Sequence, residues 1–364
     1  MTNRTGIKLL AIIILGICLI ISLWTISLDY RTTPEVDPSK TGEILVPWKK
    51  QYCADDSAYS TGSDTLQHIP SMQREMTRKV SSENIFLIES TCSPHPLYRS
   101  WCSVESWAAQ HPEKTVWFIL VSPFIDDATG VRKSLLNQYS NIRIVTSNLE
   151  EIFSETPLWE LFNSDKWLRG TSWAKINLSD MLRVALVWKW GGIYADTDSI
   201  CIRNTSNLTE AVGMAANTRI SNAILIGPPR HKVFWMLMKD IQKNFRGDIW
   251  GENGPQAITR VMNELCKTNN FIEIAKSGKG CANMRVLPIE SFYPIPYQHH
   301  MKYTEDRKET EFAKLFNSSY TLHFWNKLTV NTPVSAKGNS ILNTAAKTFC
   351  PVTYNIATLH SNFF

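Results

Sequence analysis

The residues best suited to chemistry are Asp196 and Asp198. They stand two apart in the run Trp190–Gly191–Gly192–Ile193–Tyr194–Ala195–Asp196–Thr197–Asp198. A strand alternates its side chains, so positions i and i+2 share a face and both carboxylates can meet one ligand. Carboxylates that close repel each other unless a cation or a set of donors lies between them. A hard divalent ion with oxygen ligands, Mg²⁺ or Mn²⁺, meets that need. Such an ion can also hold the diphosphate of a nucleotide sugar and stabilise its departure. An isolated Asp-x-Asp is more often a solvated acidic turn. Here the apolar helix and the Gly-Gly turn in front shift the weight towards a ligand.

Other candidates stand further along the chain. Asp180 and Arg183 are three apart on the helix that leads into the acidic run, so they share a face. Charges on a buried helix need a partner or a ligand. The two could form a structural ion pair, or touch ribose, sugar or diphosphate at the bottom of a cleft. The segment Trp250–Gly251–Glu252–Asn253–Gly254–Pro255–Gln256 combines glycines, which let backbone approach a ligand, with an expected helix start whose N–H groups are free. It reads equally as an ordinary capped loop. His323 stands among Tyr320, Phe324 and Trp325. Spacing alone favours a packed core histidine; as a ligand it would complement the two carboxylates.

These groups need elements to position them. Ser179 is expected to cap a helix whose next turns, Met181 to Trp190, are apolar all round and therefore buried, with Gly191 as its stop. Strands are expected at 84–89, 115–121, 142–146 and 222–226, and helices at 102–110, 232–245 and 256–266. This alternation argues for an α/β fold, a parallel sheet with helices on its faces.

The whole chain sets the context. Arg4 and Lys8 precede an apolar run from Leu9 to Leu28, about the ~20 residues that span a bilayer. The run is longer than the ~7–15 apolar residues of a cleaved signal peptide, and the basic flank places the N-terminus in the cytoplasm. The expected organisation is a cytoplasmic tail (1–8), a transmembrane signal anchor (9–28), a stem (29–68) and a lumenal domain (69–364). The net charge of +5 is spread along the 364 residues and forms no nucleic-acid stripe.

Eight cysteines without a C-x-x-C pair suit disulfides in an oxidising compartment. Local bridges Cys92–Cys102 and Cys266–Cys281 are expected. The odd number outside the anchor leaves one thiol free or paired across a homodimer, and Cys53 is the candidate. Asn204, Asn207 and Asn317 head N-x-S/T acceptor sites expected in surface loops; Asn177 also fits, beside a buried helix.

Taken together, the chain resembles the α1,4-glycosyltransferases of the lactosylceramide 4-α-galactosyltransferase type and the related α1,4-N-acetylglucosaminyltransferases. The resemblance runs from about Asn84 to Cys350. It is carried by Cys102–Ser103–Val104–Glu105–Ser106, by Ser179–Asp180–Met181–Leu182–Arg183 leading into Gly191 to Asp198, by Trp250–Gly251 and Gly254–Pro255–Gln256, by Phe292–Tyr293–Pro294–Ile295–Pro296 and by His323–Phe324–Trp325–Asn326–Lys327. Ala195 and Tyr297 depart from the pattern and bear on acceptor choice.

The resemblance implies a GT-A fold with a Rossmann-like sheet binding a UDP-sugar, in a type II Golgi membrane protein that retains the donor's anomeric configuration. It implies Mn²⁺ held by Asp196, Asp198 and His323. Donor contacts are expected from Asp180, Arg183, Gly191, Gly192, Tyr194, Asp196, Gly254 and Lys327. Asp198, Gln256 and Glu252 are the catalytic candidates. The expected reaction moves galactose or N-acetylgalactosamine to the 4-hydroxyl of a terminal sugar on a glycosphingolipid. Two competing readings are an enzyme acting on glycoprotein glycans and an inactive Golgi sugar-binding protein.

Overall fold

Three of the expected strands form the middle of one sheet. The computed structural model describes residues 47–53, 65–78, 83–306 and 312–361. The chain divides into two units, Met1–Lys49 and Lys50–Phe364, and the site lies in the second. The expected tail and anchor (1–28) and much of the expected stem lie outside the described residues. No helix among the described residues is long and apolar enough to cross a membrane.

The strands are β1 (Leu66–His68), β2 (Asn84–Glu89), β3 (Thr115–Leu120), β4 (Phe124–Asp126), β5 (Ile142–Thr146), β6 (Gly192–Ala195), β7 (Ser199–Cys201), β8 (Ala211–Ala216), β9 (Arg219–Gly227), β10 (Arg285–Leu287) and β11 (Thr321–His323). Seven of them form the main sheet, in the order β10-β8-β9-β6-β2-β3-β5. The runs NIFLIE, TVWFIL and IRIVT are nearly continuous in apolar residues because helices cover both faces. β6, β2, β3 and β5 are parallel neighbours. β9 runs antiparallel to both β6 and β8, so the sheet is mixed rather than purely parallel. The reason is local: only Asn217 and Thr218 separate β8 from β9, a connection too short for a crossover. β1 pairs with β4, so the last residues expected to be stem are strand.

The principal helices are α1 (Tyr98–Gln110), α2 (Ala174–Trp190), α3 (Lys232–Asn244), α4 (Ala257–Cys266), α5 (Ile341–Phe349) and α6 (Pro351–His360). α2 is buried from Asn177 to Trp188, as its all-round apolar pattern requires, but it begins at Ala174. Ser179 is therefore not the cap. It lies inside the helix, and its Oγ accepts a 2.8 Å hydrogen bond from Arg183 Nη2.

Gly191 and Gly192 turn the chain from α2 into β6, with φ of 70° and 104°. A Cβ on Gly192 would collide with the Asn84 carbonyl, and one on Gly191 would sit 2.7 Å from the Pro229 nitrogen. Both glycines are set by this turn. They lie at the opposite end of β6 from Asp196, four and five residues before it, roughly 13–17 Å along the strand.

The cysteine pairing also differs from expectation. Cys266–Cys281 forms, but Cys92 joins Cys53 and Cys102 joins Cys350. The free thiol among the described residues is buried Cys201, not Cys53. Cys102–Cys350 closes a sequence separation of 248 residues, which local spacing cannot reveal. It fastens α1 to the turn between α5 and α6, two helices beyond those expected from the sequence.

Candidate functional site

The acidic pair sits where β6 ends and β7 begins, at the carboxyl edge of the parallel strands and where strand direction reverses. That is where open α/β sheets form ligand crevices. Asp196 N–H donates to the Ala223 carbonyl of β9 at 2.9 Å, which ties Asp196 to the main sheet. The chain then turns: Ser199 N–H and Oγ–H both donate to the Asp196 carbonyl, at 3.1 and 2.7 Å. β7 pairs antiparallel with β11, placing His323 opposite Ser199. This register carries His323 across more than a hundred residues of sequence to the two aspartates.

Asp196 Oδ1 takes a 2.9 Å ion pair from Arg183 Nη1 and a hydrogen bond from the Tyr194 hydroxyl. Asp198 Oδ2 accepts the Asn326 N–H at 2.8 Å. One oxygen of each carboxylate is thus held by the protein. The other two, Asp196 Oδ2 and Asp198 Oδ1, lie 3.6 and 3.1 Å from His323 Nε2. That nitrogen is buried and out of line for a hydrogen bond with either. Asp196, Asp198 and His323 each offer a ligand atom within 4.8 Å of the others. Two carboxylate oxygens and an imidazole nitrogen suit a divalent metal ion. The residues therefore fit a metal, and the orphaned Nε2 is the observation that tests it.

Electrostatics follow from this arrangement. Burial alone would lower the His323 pKa; Asp198 and Asp196 outweigh it and push it up to about 9. Burial would raise Asp198, but the imidazolium holds its carboxyl below the usual range. Burial would lower Arg183, and Asp196 above all raises it, so its charge is permanent.

Arg183 is the hidden support of the pair. It is 6% exposed, donates to the Ser179 and Asn222 carbonyls at 3.1 Å each, and lies 4.7 Å from the Tyr194 ring centre. Its closest carboxylate is Asp196; Asp180 is further, at 3.6 Å. Asp180 is itself buried, accepts from Asn222 Nδ2 at 2.8 Å and is covered by Gly254, where a Cβ would come within 2.5 Å of Asp180 Oδ1. Burial is the main reason its pKa is raised. Asp180 and Gly254 thus pack together beside Arg183.

Glu252 and Gln256 begin and end a π-helical turn, Glu252–Gln256, that leads into α4. Glu252 is in an ion pair with Arg260, which also binds Asp240 at 2.6 Å. That carboxylate is engaged by the guanidinium. Gln256 is half-buried, and its side-chain amide makes no hydrogen bond among the described residues. Lys327 is exposed, 5.2 Å from the Trp173 ring centre.

Several supporting residues were given no role in the sequence reading. Asn222 lies in the apolar run of β9, where a buried polar residue was the clue. Ser103 and Ser106, one turn apart on α1, bind β7. Ser199 N–H donates to Ser103 Oγ at 3.2 Å, Ser103 Oγ–H to the Ser199 carbonyl, and Cys201 N–H to Ser106 Oγ at 3.0 Å. Trp325 has a left-handed backbone, φ 53°, rare for a bulky residue, and this turn presents Asn326 N–H to Asp198.

Comparison with known proteins agrees with this geometry. The family model described as "Glycosyltransferase sugar-binding region containing DXD motif" matches residues 98–215, and "Alpha 1,4-glycosyltransferase conserved region" matches residues 227–357. The rat lactosylceramide 4-alpha-galactosyltransferase is 34% identical over 297 residues, covering 80% of this chain and 80% of that protein. The human protein of the same name is 34% identical, covering 74% of this chain and 76% of its own. A human alpha-1,4-N-acetylglucosaminyltransferase is 31% identical over 74% of this chain and 79% of its own. The chain is a glycosyltransferase and belongs to the α1,4-glycosyltransferase family.

Proposed function

We propose that this chain is a retaining, metal-dependent GT-A enzyme. It moves galactose or N-acetylgalactosamine from UDP to the 4-hydroxyl of a terminal sugar on a glycosphingolipid, as a type II protein of the Golgi membrane with its catalytic domain in the lumen. The observation that carries this reading is the convergence of Asp196 Oδ2, Asp198 Oδ1 and His323 Nε2 on one point, with each carboxylate pinned by its other oxygen. The names of the relatives, lactosylceramide 4-alpha-galactosyltransferases, support a galactosyl donor and a lipid acceptor, and the carboxylate-rich donor set is compatible with Mn²⁺.

When bound, the ion supplies positive charge to the diphosphate as UDP departs. The protein's own part is orientation. Arg183 and Tyr194 hold Asp196, Asn326 holds Asp198, and the β7–β11 pairing holds His323. Lys327, on an exposed flexible stem, adds charge for the diphosphate once drawn from Trp173. Retention needs the acceptor hydroxyl to enter on the face that UDP leaves, or a protein nucleophile to intervene. Gln256 is the candidate there, with its amide free of hydrogen-bond partners among the described residues.

The test is a donor screen with the purified chain, with and without Mn²⁺, for the parent and for Asp196→Ala and Asp198→Ala. Each variant is expected to lose roughly a hundredfold or more of transfer, in keeping with loss of metal-held charge stabilisation. Variants that turn over every donor as fast as the parent would remove the metal assignment. Glycan loss confined to glycoproteins in cells lacking the protein would move the acceptor away from lipid.

A further inference from the structure

The described residues expose few large apolar side chains, and five of them gather beside the site. Leu97, Tyr297, Met301, Leu328 and Val330 are each between 40% and 47% exposed. Specific contacts bring them together. The short helix Asn326–Thr329 has an inner edge, where Asn326 N–H meets Asp198 and Thr329 is buried, and an outer edge bearing Lys327 and Leu328. Arg99, two residues after Leu97, donates to the carbonyls of Thr329 and Thr332 at 2.9 and 3.1 Å. Tyr297 opens the 3-10 helix Tyr297–Tyr303, which packs on that short helix. Its ring lies 6.1 Å from Trp325, whose Nε1 donates to the Ile295 carbonyl at 2.8 Å.

We infer that this face seats in the interfacial layer of a lipid bilayer, so that a lipid-borne sugar meets Asp198 and His323 from the membrane side. The inference rests on the reading that the acceptor is a glycolipid. Two observations choose a bilayer over another occupant. The apolar side chains alternate with Lys302, Lys327 and the tyrosine hydroxyl, a mixture of apolar bodies and polar tips suited to the headgroup boundary. The sequence also carries its own apolar run, Leu9–Leu28, and Asp29–Val46 fully extended reaches at most about 60 Å. A chain anchored by that run keeps its folded domain within that distance of a bilayer. A protein seated two residues from Asn326 would instead crowd the acceptor's approach.

The test uses the full chain reconstituted in phosphatidylcholine vesicles. A nitroxide is placed at Met301→Cys on a Cys18→Ser background, and its collisions with oxygen and with a water-soluble nickel chelate are compared by electron spin resonance. The expected result is a label favoured by oxygen and protected from nickel, whereas a label at Asn204→Cys, beyond the far end of β7, is open to nickel. A Met301 label as open to nickel as the Asn204 label overturns the inference. So does one immobilised and shielded from both, as under a protein partner or a second copy.

A second measurement joins the face to substrate use. The triple variant Met301→Ser, Leu328→Ser, Val330→Ser is expected to lose roughly tenfold or more of transfer to lactosylceramide in the same vesicles, and to keep its transfer to free lactose. Equal losses on both acceptors overturn the inference. If the parent chain transfers to neither acceptor, the acceptor reading fails, and the label depths still decide whether the face is in the membrane.

Discussion

Arg183 shows how much of the site lies beneath its visible residues. The acidic pair was legible because its two carboxylates are neighbours in sequence, and His323 because a histidine amid aromatics invites attention. The pairing of Arg183 with Asp196 rather than Asp180 was not legible, since it depends on α2 lying against the end of β6 and against β9. Its removal should be costly. Arg183→Met leaves Asp196 and Asp180 without their buried cation, and breaking such a pair costs about 3–5 kcal/mol. Denaturant unfolding should show that loss, and transfer should fall with it. Arg183→Lys keeps the charge but not the forked contacts to Asp196, Ser179 and Asn222, and should recover only part of the stability. Full stability in Arg183→Met would mean that the guanidinium does not support the aspartates. Asn222 should behave similarly on a smaller scale: Asn222→Ala strands Asp180 Oδ1, at about 1–3 kcal/mol.

At the scale of elements, α1 anchors more than its own face of the sheet. Its Ser103 and Ser106 hold β7, its Cys102 holds Cys350, and its buried Glu105 accepts from the Val352 and Thr353 N–H groups at 3.0 and 2.8 Å. Those N–H groups are the free start of α6, so the carboxylate both caps the helix and meets its positive end. The polar members of the run Cys102–Ser106 are thus structural, and Val104 packs in the core. Glu105→Gln should lower thermal stability by about 1–3 kcal/mol by removing the charge from the cap; an unchanged melting curve would show that the cap is dispensable.

His111, just past the end of α1, gives a pH dependence. Its Nε2 accepts from Thr205 N–H at 2.8 Å, and burial lowers its pKa to about 4 from an ordinary 6.5. The unfolded chain therefore binds the proton more readily between those values. Stability is complete above pH 6.5 and falls as pH drops towards 4, by about 3 kcal/mol for this group. His111→Gln, which does not titrate, should flatten unfolding free energy measured between about pH 7 and pH 4.5. An equally steep fall in the variant would assign the effect to other groups. The strands themselves were largely legible, because buried β-strands announce themselves as apolar runs. The β8–β9 hairpin and the C-terminal helices were not, because their signals are a two-residue turn and contacts distant in sequence.

On the scale of the whole molecule, Asp196 and Asp198 belong to different bodies of secondary structure. Asp196 hangs from the seven-stranded sheet through Ala223, while Asp198 is bound to the β7–β11 side through Asn326 and through the Phe324 N–H that donates to its carbonyl at 3.0 Å. Only Thr197 lies between them. Mn²⁺ should therefore raise the melting temperature, with the logarithm of the ratio of its concentration to the dissociation constant, and Asp198→Ala should abolish the rise. A variant that still responds to Mn²⁺ would place the ion elsewhere. The acidic turn is then a seam between two halves of the architecture, and whatever cation settles there rivets them. Cofactor supply would govern how long the folded protein survives as well as how fast it works.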